Sequence, residues 1–165
     1  MKIGILSDTH NNLQNYQAAL GIFRARKIET LIHCGDLTGI GVARLLTGFR
    51  VICTLGNCDA ASGEIRDTIL AQDPQNYVGL VYRGQINGSG IGVTHGHLPG
   101  QLDGLVQSGE HDYIFTGHSH VRMDERKGTT RLINPGSLGG RHVQTRSICI
   151  LDLGSGQAEF IDVAQ

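Results

Sequence analysis

The chain has no tryptophan and only four tyrosines and four phenylalanines in 165 residues. No aromatic cluster is present that could stack a series of bases, which argues against tight nucleobase recognition. Positive charge is not in excess either, because fourteen Lys and Arg face fifteen Asp and Glu, for a net charge of −1. General nucleic-acid binding, which depends on neutralising a run of phosphates, is therefore not expected. No apolar run approaches the ~20 residues of a membrane span, and Met1-Lys2-Ile3-Gly4-Ile5-Leu6 is interrupted by Ser7-Asp8 too soon for a signal peptide. A cytoplasmic protein with no membrane partner is the expectation. The four cysteines form no Cys-x-x-Cys pair, and Cys34, Cys53 and Cys149 fall inside apolar runs. Neither structural zinc nor a disulfide framework is expected, and only Cys58 asks for a separate explanation.

Against these shortages stand 24 glycines, roughly 15% where about 7% is usual, and eight histidines. The apolar runs between the glycines are too regular for disorder. In the first third they alternate with helical patterns. Lys2 to Leu6 reads as a strand, and Leu13, Tyr16, Leu20 and Phe23 recur at helical spacing behind Asn11 or Asn12 as N-cap. Thr30 to Cys34 and Val51 to Leu55 read as strands separated by a short helix over Val42 to Thr47. This β-α-β-α-β order predicts a parallel sheet with right-handed crossovers. A helix is expected over Glu64 to Ala71 and a weaker one over Leu98 to Val106. The remainder reads as mostly β: a hairpin of Gly79 to Ile86 with Ile91 to Thr94, a strand at Tyr113 to Thr116, and further hairpins around Gly128 and around Gly154-Ser155-Gly156.

The residues just after each apolar run carry the chemistry. Leu6 is followed by Ser7-Asp8-Thr9-His10, Cys34 by Gly35-Asp36, Leu55 by Gly56-Asn57-Cys58-Asp59, Thr94 by His95-Gly96-His97, and Thr116 by Gly117-His118-Ser119-His120. Five expected strands thus end in metal-ligating side chains, and in open α/β sheets ligands bind beyond the carboxyl ends of the strands. Strand ends also hold side chains to the tolerance a metal requires. His33, His111 and His142 fall outside this pattern and are read as structural.

Taken in order, Asp8-x-His10, Gly35-Asp36, Gly56-Asn57, His95-Gly96-His97 and Gly117-His118-x-His120 resemble the motif blocks of the calcineurin-like metallophosphoesterase superfamily. Asn134-Pro135-Gly136-Ser137 is similar to a stretch in its short single-domain phosphodiesterase members. The resemblance implies an α/β chain of two mixed β-sheets packed as a sandwich flanked by helices, a four-layer α/β/β/α fold, in a single domain over residues 1–165. It also implies a dinuclear metal centre, with Asp8, His10, Asp36 and His120 holding one ion and Asp36, Asn57, His95 and His118 the other.

Elementary electrostatics agrees with that implied set. Two divalent cations about 3.5–4 Å apart need a shared anionic ligand, and Asp36 can bridge with its two oxygens. Two carboxylates against four positive charges leave the site net positive, suited to a phosphate. Nitrogen and oxygen donors without thiolate suit manganese, nickel, iron and zinc alike; manganese is the first expectation. The expected reaction is hydrolysis of a small phosphodiester by a hydroxide between the metals. Asp36 and Cys58 are the expected catalytic residues, Asp59 is expected to orient a ligand, and Asn11, His97 and Arg141 are candidate phosphate contacts.

Cys58 occupies a position where many members carry His, and Gly-Asn-Cys-Asp is similar to the short phosphodiesterase branch. A thiol with a pKa near 8.5 is uncharged at neutral pH, so it lacks the pull of an imidazolium on a poor leaving group. Two alternatives stand beside the diesterase: a phosphomonoesterase or nucleotide phosphatase, and a non-catalytic interaction scaffold on the same fold, as in the retromer subunit. The pattern does not decide between a monomer and a homo-oligomer.

Overall fold

The computed structural model describes residues 1–140 and 145–163. Arg141 and His142 lie outside the described residues. The first half runs β1 (Lys2–Leu6), α1 (Leu13–Ala25), β2 (Thr30–His33), α2 (Ile40–Arg44), β3 (Arg50–Thr54), α3 (Ser62–Gln72) and β4 (Tyr77–Gly79). The second half runs β5 (Val81–Ile86), β6 (Ser89–Thr94), α4 (Gln101–Ser108), β7 (Tyr113–Phe115), β8 (Arg122–Lys127), β9 (Thr130–Pro135), β10 (Ser147–Asp152) and β11 (Ala158–Asp162). The strands form a six-stranded sheet in the order β11-β10-β1-β2-β3-β4 and a five-stranded sheet in the order β5-β6-β7-β9-β8. Both are mixed: β1, β2, β3 and β4 run parallel, as do β6, β7 and β9, while β5, β8, β10 and β11 join by antiparallel pairing.

The alternation of side chains along each strand accounts for the layers. Ile3, Ile5, Ile32, Ile52, Cys149 and Leu151 on the inner face of the first sheet meet Ile91, Val93, Phe115 and Ile133 of the second. Their neighbours Leu6, Leu31, Val51, Cys53, Ile148 and Ile150 point the other way, against Tyr16, Leu20 and Phe23 of α1 and Ile65 and Ile69 of α3. Gly4 lets Phe23 approach, since a Cβ there would lie 2.7 Å from its ring. On the outer face of the second sheet, Ile114 and Leu132 pack against Leu105 of α4. The expected α/β/β/α layering is what the structure has.

Three local expectations are corrected. The strand expected over Gly79 to Ile86 is two strands in different sheets: Tyr77–Gly79 pairs with β3, the chain turns at half-exposed Leu80, and Val81 onward pairs with β6. The Tyr77 hydroxyl donates to the Val81 carbonyl at 2.6 Å across that turn. The helix expected over Val42 to Thr47 is Ile40–Arg44; the Leu45 and Leu46 amides then bond three residues back, and Gly48 (φ 89°) turns the chain. The first hairpin turn is only Asn87-Gly88, both at positive φ, with Ile86 opposite Ser89. At the start of α1, Asn12 is the cap, accepting the Asn15 amide at 3.1 Å.

Candidate metal centre

The parallel strands β1, β2 and β3 of one sheet and β6 and β7 of the other end on the same side, so their five trailing loops meet there. The Asp8 amide donates to the Gly35 carbonyl at 2.9 Å, the His10 amide to the Asp36 carbonyl at 3.0 Å, and the Gly117 amide to the His95 carbonyl at 3.1 Å. The loops are bent sharply to do this. Asp8, His10, Asn11, Asp36, Thr38, His118 and His120 all have positive φ, between 45° and 71°. The left-handed region costs an L-residue roughly 1–2 kcal/mol, and such residues cluster where the fold over-determines a functional geometry. Close approach sets the glycines: a Cβ on Gly56 would lie 2.1 Å from Asp36 Oδ1, and one on Gly117 would strike the Ser7 hydroxyl.

Three overlapping groups of donor atoms result, each with its members within 4.8 Å of one another: Asp8, His10 and His120; Asp8, Asp36 and His95; and His10, Asp36 and Cys58. Asp8 Oδ1 is 3.1 Å from His120 Nε2 and 3.8 Å from His10 Nε2. Asp36 Oδ2 lies between two imidazoles, 3.6 Å from His10 Nε2 and 3.5 Å from His95 Nε2. His95 Nε2 also faces Asn57 Oδ1 at 3.2 Å. Asp36 Oδ1 accepts the Cys58 amide at 2.8 Å. Asp36 Oδ1 thus already accepts one hydrogen bond, while Oδ2 faces the imidazoles of both His10 and His95.

The donor set fits divalent metal. Asp8 Oδ1 is buried with no hydrogen-bond partner among the described residues, whereas its Oδ2 accepts the Ser7 hydroxyl at 2.5 Å and the His118 amide at 3.1 Å. A buried carboxylate oxygen left bare is costly unless a cation meets it. His10 Nε2 and His120 Nε2 face each other at 3.2 Å, two ring nitrogens converging on one point. His95 donates Nδ1–H to the Cys34 carbonyl at 2.7 Å, which directs the lone pair of Nε2 into the site.

Titration reflects the same crowding. Burial opposes ionisation of Asp36, but the His95 contact and the Cys58 amide outweigh it and hold the carboxyl well below the usual range. Burial likewise disfavours charge on His95, and the nearby Asp36 and Asp8 overcome it and raise the imidazole. Contact with Asp8 raises His120. The Cys58 thiol is pushed up to about 11 by partial desolvation and by the Asp36 carboxylate.

A model of the calcineurin-like phosphoesterase superfamily domain matches residues 1–156. The chain belongs to this superfamily. It is 33% identical over 154 residues to the phosphodiesterase MJ0936 of Methanocaldococcus jannaschii, covering 92% of this chain and 93% of that protein. The solved structure of an archaeal phosphodiesterase superposes with a TM-score of 0.92 at 32% identity, over 98% of this chain and 99% of that one. Vps29 of Entamoeba histolytica, solved with zinc, has a TM-score of 0.68 at 20% identity, over 99% of this chain and 100% of that one, a likeness of fold alone.

The other candidate residues of this phosphoesterase take up distinct positions around the centre. The His118 ring packs 5.1 Å from that of His95 but is in none of the three donor groups. His97 packs at a tilt beside both, 5.3 Å from His95 and 6.4 Å from His118, with Nδ1 buried and without a partner among the described residues and its pKa lowered, first by burial. Asn11 turns its amide to the Thr38 carbonyl at 3.4 Å. Asp59 accepts three backbone amides, from Asp36 (3.0 Å), Gly56 (2.7 Å) and Thr38 (2.7 Å), so it ties the loops after β2 and β3 together. His33 is structural: it accepts the Gly35 amide at Nδ1 and meets the Thr9 hydroxyl at Nε2.

Sequence pattern assigns no role to four residues that frame the centre. Ser7 holds the inner oxygen of Asp8. Asn134 donates to the Gly117 carbonyl at 2.9 Å and the Ser119 hydroxyl at 3.0 Å, fixing the loop that carries His118 and His120. The Gly139 amide donates to the Asp8 carbonyl at 2.7 Å, and the Ser137 hydroxyl lies 3.1 Å from that oxygen. The Asn134-Pro135-Gly136-Ser137 stretch is the available signal; Ser7 offers none beyond its place before Asp8.

Proposed function

We propose that this phosphoesterase is a metal-dependent phosphodiesterase whose Asp8, His10, Asp36 and His120 hold one divalent ion and whose Asp36, Asn57, His95 and His118 hold a second. The observation that carries the reading is the convergence of five strand-end loops on the bare, buried Asp8 Oδ1 and on Asp36 Oδ2 between two imidazoles. When bound, the ions supply Lewis acidity, neutralising phosphoryl charge and lowering the pKa of an attacking water. Asp8 and Asp36 offset only half the charge of two such ions, so the site attracts a phosphate anion. Asn57 and the neutral imidazoles add no charge and leave that attraction undiminished. Asp59 and Asn134 keep the ligand loops in register, which preserves the geometry that in-line attack requires.

Cys58 is exposed and can present an uncharged S–H to the substrate, and His97 packs beside His95 and His118. An uncharged donor serves good leaving groups better than poor ones, which favours activated diesters. Oxygen and nitrogen ligands suit manganese, with nickel, iron or zinc as substitutes. Residues 1–165 are read as one domain acting in the cytoplasm on a small diester, as a monomer or a homo-oligomer. No helix among the described residues is long and apolar enough to cross a membrane, and the cysteines are free thiols. The scaffold alternative draws only on fold likeness to Vps29, and the donor groups gathered around Asp8 and Asp36 speak for catalysis.

The test compares Mn²⁺-dependent turnover of a bis-aryl phosphodiester with that of the aryl monoester, alongside Asp36→Ala. Turnover of the diester well above the monoester, lost in Asp36→Ala, is expected. Undiminished activity in Asp36→Ala, or no turnover of either ester with any of the four metals, would sink the reading. Cys58→His is expected to gain more on the monoester than on the diester.

A further inference from the structure

Cys58 is the one cysteine in contact with solvent, and its sulfur sits among metal-ligating atoms. Cys34, Cys53 and Cys149 are buried in the two cores. Cys58 Sγ, a ring nitrogen of His10 and a carboxylate oxygen of Asp36 all lie within 4.8 Å of one another. Two contacts keep it there: the Cys58 amide donates to Asp36 Oδ1 at 2.8 Å, and the Asn57 side-chain amide donates to Sγ at 3.3 Å. The independent sign that a cation belongs at this end is Asp8 Oδ1, fully buried, without a hydrogen-bond partner among the described residues, and 3.8 Å from His10 Nε2.

Resting on the metal-centre reading above, we propose that Cys58 is a conditional fifth donor: a thiophilic divalent cation held by Asp8, His10, Asp36 and His120 draws in its sulfur as a thiolate ligand. One sulfur–metal bond forms, the S–H bond breaks, and the proton leaves to solvent; no redox partner is needed. A cation with bonds of about 2.0–2.3 Å gathers its donors more closely than the 4.8 Å within which Sγ, His10 and Asp36 already lie, so the Cys58 side chain would turn toward the ion to close the group. Soft sulfur discriminates where the oxygen and nitrogen donors do not. Zinc, cobalt or cadmium gain a strong bond from it, while manganese leaves the thiol protonated and free. The nature of the ion thereby decides whether Cys58 faces the substrate or the metal.

The experiment is an anaerobic Co²⁺ titration of the full chain under a non-thiol reductant, monitored by absorption. Wild type is expected to show a near-ultraviolet thiolate-to-cobalt charge-transfer band together with visible ligand-field absorption. Cys58→Ser and Cys58→Ala should keep the visible absorption and lose the band. In direct binding, Zn²⁺ affinity should fall by about tenfold or more in both variants while Mn²⁺ affinity stays within about twofold. Cobalt bound by wild type without the band, a band that persists in the variants, or equal losses for Zn²⁺ and Mn²⁺ would overturn the proposal. Failure of wild type to take up cobalt at all would overturn it as well, and the missing visible absorption would mark that as failure of the metal centre itself.

Discussion

Replacing His33 by Gln removes a buried imidazole that the fold holds neutral. The Gly35 amide donates to Nδ1 at 3.2 Å, so that nitrogen must keep its lone pair, and Nε2–H is then the donor to the Thr9 hydroxyl at 2.9 Å. Protonation would set two N–H groups against each other in the core. Burial first, and then the fields of His95 and His10, lower the His33 pKa from 6.5 to about 4, although Asp8 and Asp36 pull the other way. The unfolded chain therefore binds the proton more readily than the native one. The stabilisation is complete above pH 6.5 and is lost as the pH falls toward 4. A shift of that size corresponds to about 3 kcal/mol once acidification is complete, and to about 2 kcal/mol at pH 5.

Urea unfolding of metal-stripped wild type and His33→Gln, at pH 7.5 and pH 5, isolates this effect. Other groups titrate alike in both proteins and cancel in the difference. The wild-type advantage at pH 7.5 should shrink, or reverse, by about 2 kcal/mol at pH 5. A difference that does not change with pH would refute the assignment of His33 as a neutral structural residue and point to a role in the centre.

The geometry sets three further outcomes. Gly56→Ala places a Cβ 2.1 Å from Asp36 Oδ1 and 2.6 Å from its amide nitrogen; denaturation should show a loss of about 2 kcal/mol or more, and calorimetric titration a weaker Mn²⁺ affinity. Thr38→Gly relieves a β-branched residue at φ 71°, so thermal unfolding should show a gain of about 1 kcal/mol, and a loss would mean the Thr38 side chain holds the loop. Asp59→Asn turns an amide group toward backbone N–H donors, costing about 1–3 kcal/mol; Mn²⁺ affinity should fall with it, and unchanged affinity would remove Asp59 from the ligand-positioning set.

Much of the frame is legible from local pattern. The spacing of Leu13, Tyr16, Leu20 and Phe23 anticipates α1, and the unbroken apolar runs Val51–Cys53 and Ile148–Leu151 anticipate strands. The break at Leu80 is not legible, because Tyr77–Gly79 and Val81–Ile86 are equally good strands and only the partner sheet separates them. The early end of α2 depends on a tightened turn before Gly48, where local hydrogen bonds compete closely with helix continuation.

The centre divides in the same way. The chain itself determined which donors end up together, since every expected strand on that side ends in Asp, Asn or His, and strand ends in parallel sheets share one edge. Tertiary structure alone decided which atoms of those donors remain free. Asp36 keeps Oδ2 because the Cys58 amide occupies Oδ1, Asp8 keeps Oδ1 because Ser7 and the His118 amide occupy Oδ2, and the Cys58 sulfur joins His10. Apart from the neighbouring Ser7, those choices rest on contacts between loops far apart in sequence, the His118 amide to Asp8 and the Cys58 amide to Asp36, and residue spacing carries no record of them.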